Sequence, residues 1–306
     1  MPERQGLLPF EIDSAPKDGV TAHAGLPLIV ETLRALYPRR AWRSLATALG
    51  YRKRRTVRRH LESVVSLIVA GGECVDDLER LRSEDGLERL LGFRLSSPTQ
   101  AKDFLYRFHQ GEDGSALDPQ DDARLSEVGH AQIRPEGPGL VALFGMVREV
   151  VRRAATRGTG TRATLDVDAT LVEAHKSGAL RTYEGFRGYR PQMAWWAEKR
   201  LWVCDEFAGP SVGRPFGGAP APVPSAPASG LVQNLLRLIA NAALPSEIAT
   251  MRPKGLRFRL FGLAGVVVRH ARRLVHRLAA TAGEIAMYLT ARRTILSWSR
   301  AGPDPS

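Results

Sequence analysis

Apolar positions recur at helical spacing through most of the first half of the chain, and they alternate with polar ones only near its middle. In residues 25–36, GLPLIVETLRAL, the positions Leu28, Ile29, Thr32, Leu33 and Leu36 predict a helix that ends at Pro38. Leu61 to Ala70 predicts a buried helix stopped by Gly71-Gly72. Residues 76–91, DDLERLRSEDGLERLL, set acids ahead of bases at helical spacing, and Gly86 predicts a break between two short helices. Ser97 before Pro98 suits an N-cap followed by the first helical position, with Phe104, Leu105 and Phe108 as the buried stripe. A short helix, a turn and a capped helix outline a helix-turn-helix, and equally a plain helical hairpin. Leu140 to Ala154 predicts an amphipathic helix whose last turn carries Arg152 and Arg153.

After the turn-forming RGTGT at 157–161 the period changes to two. Thr164, Asp166 and Asp168 alternate with Leu165 and Val167, which predicts a strand with both carboxylates on one face. Residues 178–190, GALRTYEGFRGYR, read as a loop of glycines, aromatics and bases. Met193 to Ala197 and Leu201 to Asp205 predict two more strands, with Glu198-Lys199-Arg200 as a hairpin turn between them. Residues 213–230 hold five prolines and four glycines and read as a linker without a packed element. A helix is expected to resume over 231–244. Beyond it, Leu263, Val266, Val267, His270, Leu274 and Leu278 are expected to line one face of a helical segment, with arginines on the other.

Charge sharpens this outline. The chain has 306 residues, enough for one large domain or two ordinary ones, and its 43% hydrophobic and 25% charged content is that of a globular protein. A net charge of +12 and a pI near 10.3 point to nucleic acid or another anionic surface as partner. Residues 39–60 hold nine of the cations, Arg39, Arg40, Arg43, Arg52, Lys53, Arg54, Arg55, Arg58 and Arg59, and no acid. Such a block repels itself unless a polyanion is near, so it reads as a set of phosphate contacts, with a solvated helix face as the alternative. Eleven Arg/Lys follow Met251, against Glu284 and Asp304 alone. Cys74 and Cys204 lack any partner at metal spacing, which argues against a zinc site and a disulfide framework. His270 and His276 are read as structural rather than as ligands. The N-terminus has no signal-peptide pattern, and the best apolar run, Leu263 to Leu278, is broken by Arg269, His270, Arg272 and Arg273. A cytoplasmic, non-membrane setting is expected. The Asp166/Asp168 pair reads either as metal-assisted phosphate chemistry or as an ordinary solvated strand.

Residues 164–198 resemble a known family. Asp168-Ala169-Thr170, then Tyr183-Glu184-Gly185-Phe186-Arg187-Gly188-Tyr189-Arg190-Pro191, then the hairpin around Glu198, resemble the first catalytic segment of bacterial insertion-sequence transposases of the DDE type. Residues 66–108 look like that family's helical DNA-binding region. Asn234 opening a helix, Leu244-Pro245 ending it, and the basic Lys254-Gly255-Leu256-Arg257 and His270-Ala271-Arg272-Arg273 look like its C-terminal tail.

The resemblance implies an α+β fold. Its α/β ribonuclease-H-like core, cut to about three strands, would lie between an all-α N-terminal region and basic C-terminal helices. The implied divisions are a flexible arm (1–20), a helical DNA-binding region (21–110), a connection (111–139), a partial catalytic domain (140–212), a linker (213–230) and a basic helical tail (231–306). It further implies metal-dependent DNA cleavage and strand transfer, with two Mg²⁺ held by three carboxylates. Asp168 matches the first carboxylate, and Asp166, on the same face, is its alternative. Insertion-sequence terminal repeats would be the partner, met near the bacterial nucleoid, with a homodimer on DNA left open. Arg187, Arg190, Lys254, Arg257, Arg272 and Arg273 join the nine N-terminal cations as expected DNA contacts. The family's second Asp and its Glu have no counterpart, since only the linker lies between Phe207 and Leu231. Asp205, Glu206 and Glu247 are the nearby acids, and none stands in the family's context. The expectation is therefore an internally deleted transposase, with a DNA-binding non-enzyme as its alternative.

Overall fold

A computed structural model of the chain describes residues 19–109, 137–156, 162–169, 171–173, 180–181, 184–208, 225–270 and 273–300. Strand β1 (Val20–Thr21) leads into helices α1 (Pro27–Leu36), α2 (Arg39–Ala48) and α3 (Arg54–Ala70). Short helices α4 (Leu78–Arg82) and α5 (Asp85–Leu91) precede α6 (Pro98–Tyr106), and α7 (Pro138–Ala155) leads to the strands. These are β2 (Leu165–Ala169), β3 (Val172–Glu173), β4 (Leu180–Arg181), β5 (Arg187–Trp196) and β6 (Leu201–Ala208). Then come α8 (Ser225–Ala243), α9 (Ser246–Ala249), α10 (Pro253–Leu256), a π-helical turn (Arg257–Phe261), β7 (Gly265–His270), β8 (Arg273–Leu278) and α11 (Ala282–Arg300). Helix and antiparallel sheet together make an α+β fold.

Local signals explain several boundaries. The Ser97 hydroxyl accepts a hydrogen bond from the Gln100 N–H, and the Gln100 side-chain oxygen accepts one from the Ser97 N–H, closing a capping box with Pro98 at the first position. Gly71 ends α3 in the left-handed region, at φ 86°. The hairpin turn falls at Ala197–Arg200, as its sequence predicts.

In the middle sheet β5 is the central strand. Its residues Gln192–Trp196 pair antiparallel with β2 and also with β6. At its other end β5 pairs with β3 and β4. The second sheet has the order β1-β7-β8, also antiparallel.

This second sheet corrects two expectations. The N-terminal region is not all-α, because β1 pairs Val20 with Val266. The basic segment at 265–278 is a β-hairpin rather than a helix, with Gly265 opposite Leu278 and His270 opposite Arg273. Val266-Val267-Val268 is β-branched and stiff, which favours extended backbone over helix. Val267 is buried and its N–H donates to the Gly19 carbonyl (2.8 Å), so a partner strand from the other end of the chain completes the choice.

Two glycines also act differently from expectation. The break between α4 and α5 falls at Ser83–Glu84, and Gly86 lies inside α5. A Cβ there would stand 2.3 Å from the Gly19 carbonyl oxygen, so Gly86 lets β1 pass close to α5. The expected linker runs only as far as Ser225, where α8 begins; residues 213–224 lie outside the described part. The small residues at its end serve a close approach. A Cβ on Gly230 would lie 2.2 Å from the Trp202 ring.

Asn234, expected at a helix start, sits within α8 and is fully buried. Its Nδ2 donates to the Trp202 carbonyl (2.6 Å) and its Oδ1 accepts from the Trp202 N–H (2.8 Å). Both groups of a β6 residue are thereby satisfied by one side chain. Leu231, Val232, Leu235, Leu236, Leu238, Ile239 and Ala240 are all buried, so α8 is apolar almost all round, as a central helix must be. It packs against α1, α3, α7, α11 and β6. One apolar cluster runs from Leu26 to Trp298 through all of these elements. At its edge Arg292 of α11 grips Glu31 of α1 with two nitrogens, the shorter contact at 2.8 Å.

This packing yields a stability prediction. Asn234→Ala is expected to cost about 2 to 4 kcal/mol, by leaving two buried backbone groups without partners. Gly230→Ala, normally worth up to about 1 kcal/mol of added helix stability, is expected to destabilise here. Urea denaturation of both variants checks this; a Gly230→Ala chain as stable as the parent would show that the indole can shift aside.

Candidate nucleic-acid interface

Helices α2 and α3 are consecutive, packed on each other and joined by residues 49–53, upstream of the α5–α6 region where the sequence suggested either a helix-turn-helix or a plain helical hairpin. In α2 the buried Trp42, Leu45 and Ala46 face the core, and Arg39, Arg40 and Arg43 are exposed. Trp42 donates to the Tyr37 carbonyl (3.1 Å), and the Tyr37 hydroxyl donates to the Met146 carbonyl (2.7 Å), which fixes the start of α2 on α7. Gly50 turns the chain at φ 67°. The Arg107 guanidinium lies 4.4 Å above the Tyr51 ring and donates to the Leu49 carbonyl, holding the turn from outside. Arg52, Lys53 and Arg55 then stand exposed where α3 begins.

The placement of these cations works against local stability. Arg39 and Arg40 occupy the first turn of α2, and Arg54 and Arg55 that of α3. Neither turn carries an acid or a side-chain cap. Helix N-termini favour negative charge, so each of these arginines opposes the helix dipole. A bound polyanion reverses the sign of that interaction.

Two other arginines of the block, Arg58 and Arg59, are engaged internally. Arg34 of α1 binds Glu62 with two nitrogens (2.7 and 2.8 Å), and Arg58 approaches the same carboxylate at 3.6 Å. Glu62 is only 1% exposed, so these two cations balance a buried charge. Arg59 donates to the Gln100 side chain at 3.3 Å.

A groove between α2 and α7 was not legible in the sequence. One part, about 730 Å³, is lined by Arg40, Arg43, Thr47, Val141 and Ala142. A second, about 530 Å³, shares Arg40, Ser44, Val141 and Ala142 and extends to Gly145, Glu149 and Arg152. It brings the basic end of α7, which sequence did show, alongside the basic face of α2.

The other expected contacts lie elsewhere. Arg187 is exposed at the start of β5, and Arg190 is in the same strand with its side chain outside the described part. Lys254 is exposed on α10, Arg257 opens the π-helical turn half-buried, and Arg273 is exposed on β8. Arg272 lies outside the described residues.

Asp166 and Asp168 both lie exposed on β2, opposite Trp195 and Met193 of β5. Asp168 accepts from the Ala169 N–H at 2.8 Å. The backbone register sets Asp168, Met193 and Asp205 in one row across three strands. Among the described residues no group of three His, Cys, Asp or Glu side chains gathers in a geometry that could hold a metal ion. Thr170 and Tyr183, part of the motif, lie outside those residues. The turn residue Glu198 accepts from both the Thr164 N–H (3.0 Å) and its hydroxyl (2.7 Å), which anchors the start of β2. Those bonds, the backbone one first, hold the Glu198 carboxyl down at about 2.

Comparison with protein families, curated proteins and solved structures finds no match for this chain. No helix among the described residues is long and apolar enough to cross a membrane.

Behind the basic face, His60 of α3 is buried. Its Nδ1 is 2.8 Å from the Ser96 hydroxyl and its ring stacks on Phe104. Burial, reinforced by Arg59 and Arg107, lowers its pKa from 6.5 to about 4. The unfolded chain therefore binds this proton first as pH falls. Stability is expected to drop between pH 6.5 and about 4, by on the order of 3 kcal/mol, and this contribution to level off below. Urea denaturation across that range, compared with His60→Gln, checks it; an equal slope in the variant would assign the loss to carboxylates.

Proposed function

We propose that the chain is a DNA-binding protein of DDE-transposase descent that grips duplex DNA through α2 and α3 and does not cut it. One observation carries the binding half. Six cations, Arg39, Arg40, Arg43, Arg52, Lys53 and Arg55, are exposed on adjoining helix starts with no acidic partner among the described residues. Phosphate contact of this kind supplies affinity and orientation without reading base sequence.

The descent rests on the motif around Asp168 and on its setting. A first strand carrying the Asp, paired to one arm of an antiparallel hairpin, is what the first part of a ribonuclease-H-like domain requires. The sequence offers no counterpart of that family's second Asp and its Glu, so this reading takes the two-Mg²⁺ site of such an enzyme to be incomplete here. Two carboxylates on one exposed strand supply two of three groups, and their Cα atoms lie about 7 Å apart along it. No strand-cleavage step is therefore derived for this chain.

Association with a short DNA duplex is expected to weaken steeply with salt, in log–log proportion. Replacing Arg39, Arg40 and Arg43 together by Ala should lower the salt slope by about 2 to 3 and the affinity roughly tenfold or more. Arg58→Ala should instead lower folding stability, because Glu62 loses a partner. Fluorescence anisotropy titrations at several salt concentrations decide this, and a slope that the triple variant leaves unchanged would remove α2 from the interface. Incubation of supercoiled DNA with Mg²⁺ or Mn²⁺ should leave it intact. Nicking that Asp168→Ala abolishes would overturn the non-cutting half alone.

A further inference from the structure

Two strands expose an unpaired edge, and their side chains are complementary. Among the described residues β2 pairs only with β5, and β8 only with β7. Each therefore presents a row of unshared backbone donors and acceptors. Both edges also carry apolar side chains in water: Leu165 is 55% exposed and Val167 52% on β2, and Leu274 is 48% exposed on β8.

The charges differ in sign. Alternation puts Asp166 and Asp168 on one face of β2, and Arg273 and Arg277 on one face of β8. All four are exposed and have no ion-pair partner among the described residues.

We propose that β2 of one copy of this chain adds to the β8 edge of a second copy, as an antiparallel strand. In the register that sets Val167 opposite Leu274 of the second copy, Asp168 faces Arg273, and Asp166 lies diagonally between Arg273 and Arg277. Leu165, Val167, Leu274 and Leu278 share one face; the four charges share the other with Val275, which stands opposite Asp166. Pairing of like edges is opposed. Two β2 strands aligned on Val167 set Asp166 against Asp168, and two β8 strands aligned on Val275 set Arg273 against Arg277. A slip of one residue sets charges against apolar side chains. The contact is thus heterologous, a head-to-tail union of unlike surfaces rather than a symmetric one. It is independent of the basic α2–α3 face and of the DNA reading.

The test is sedimentation of the full chain without DNA over a range of concentrations, at low and raised salt. The parent should self-associate, less so as salt rises. Asp166→Lys with Asp168→Lys makes both edges basic, and Arg273→Glu with Arg277→Glu makes both acidic. Each double variant, checked for parent-like circular dichroism, should associate roughly tenfold more weakly or worse. Mixing the two variants in equal amounts should restore association, since each basic edge then meets an acidic one. A parent that stays monomeric throughout overturns the proposal. So do folded variants that associate like the parent, or a mixture that regains nothing.

Discussion

The contact between α8 and β6 holds the architecture together. Asn234 closes both hydrogen-bonding groups of Trp202, and Gly230 lets the helix lie against the indole. Through that contact the middle sheet is attached to the helix that also receives α1, α3, α7 and α11. A buried amide with two good partners costs little, and the same amide with one partner missing costs much. Asn234 thus ties α8 to β6 in polar terms, within an apolar contact that buries Leu201 and Trp202.

That core is what allows α2 and α3 to begin with arginines. Isolated helices with cations at their N-termini and no caps would fray. Here Trp42, Leu45 and Ala46, together with the long buried face of α3, hold both helices in place from behind. The arginine block divides into two groups by geometry. Arg58, with Arg34, balances the buried Glu62, whereas Arg39, Arg40, Arg43 and the cations around Lys53 face outward. A count of charges along the chain treats these groups alike, and their physical roles are opposite.

Among the described residues the middle sheet leaves its β2 edge without a strand and its apolar residues in water. An edge of this kind is a liability in any soluble protein, and the charges beside it restrict what can join it. Asp166 and Asp168 thus have a physical effect whatever their ancestry: they repel a second copy of their own strand and favour a basic one.

The sequence by itself determined what depends on near neighbours in the chain. Ser97, Pro98 and Gln100 form a cap within four residues, Gly71 stops α3 at its own position, and the strand containing Asp168 follows from its alternation. The cationic block was visible for the same reason, since charge is a property of composition. Only the tertiary structure decided what depends on distant partners. The valines at 266–268 fit a helix face as well as a strand until Gly19 and Val20 supply the neighbouring backbone. Gly86 and Gly230 looked like a break and a linker, because a glycine's purpose lies in the atoms opposite it, and those belong to Gly19 and Trp202. The groove between α2 and α7 likewise joins residues about a hundred positions apart, which no local pattern can place together.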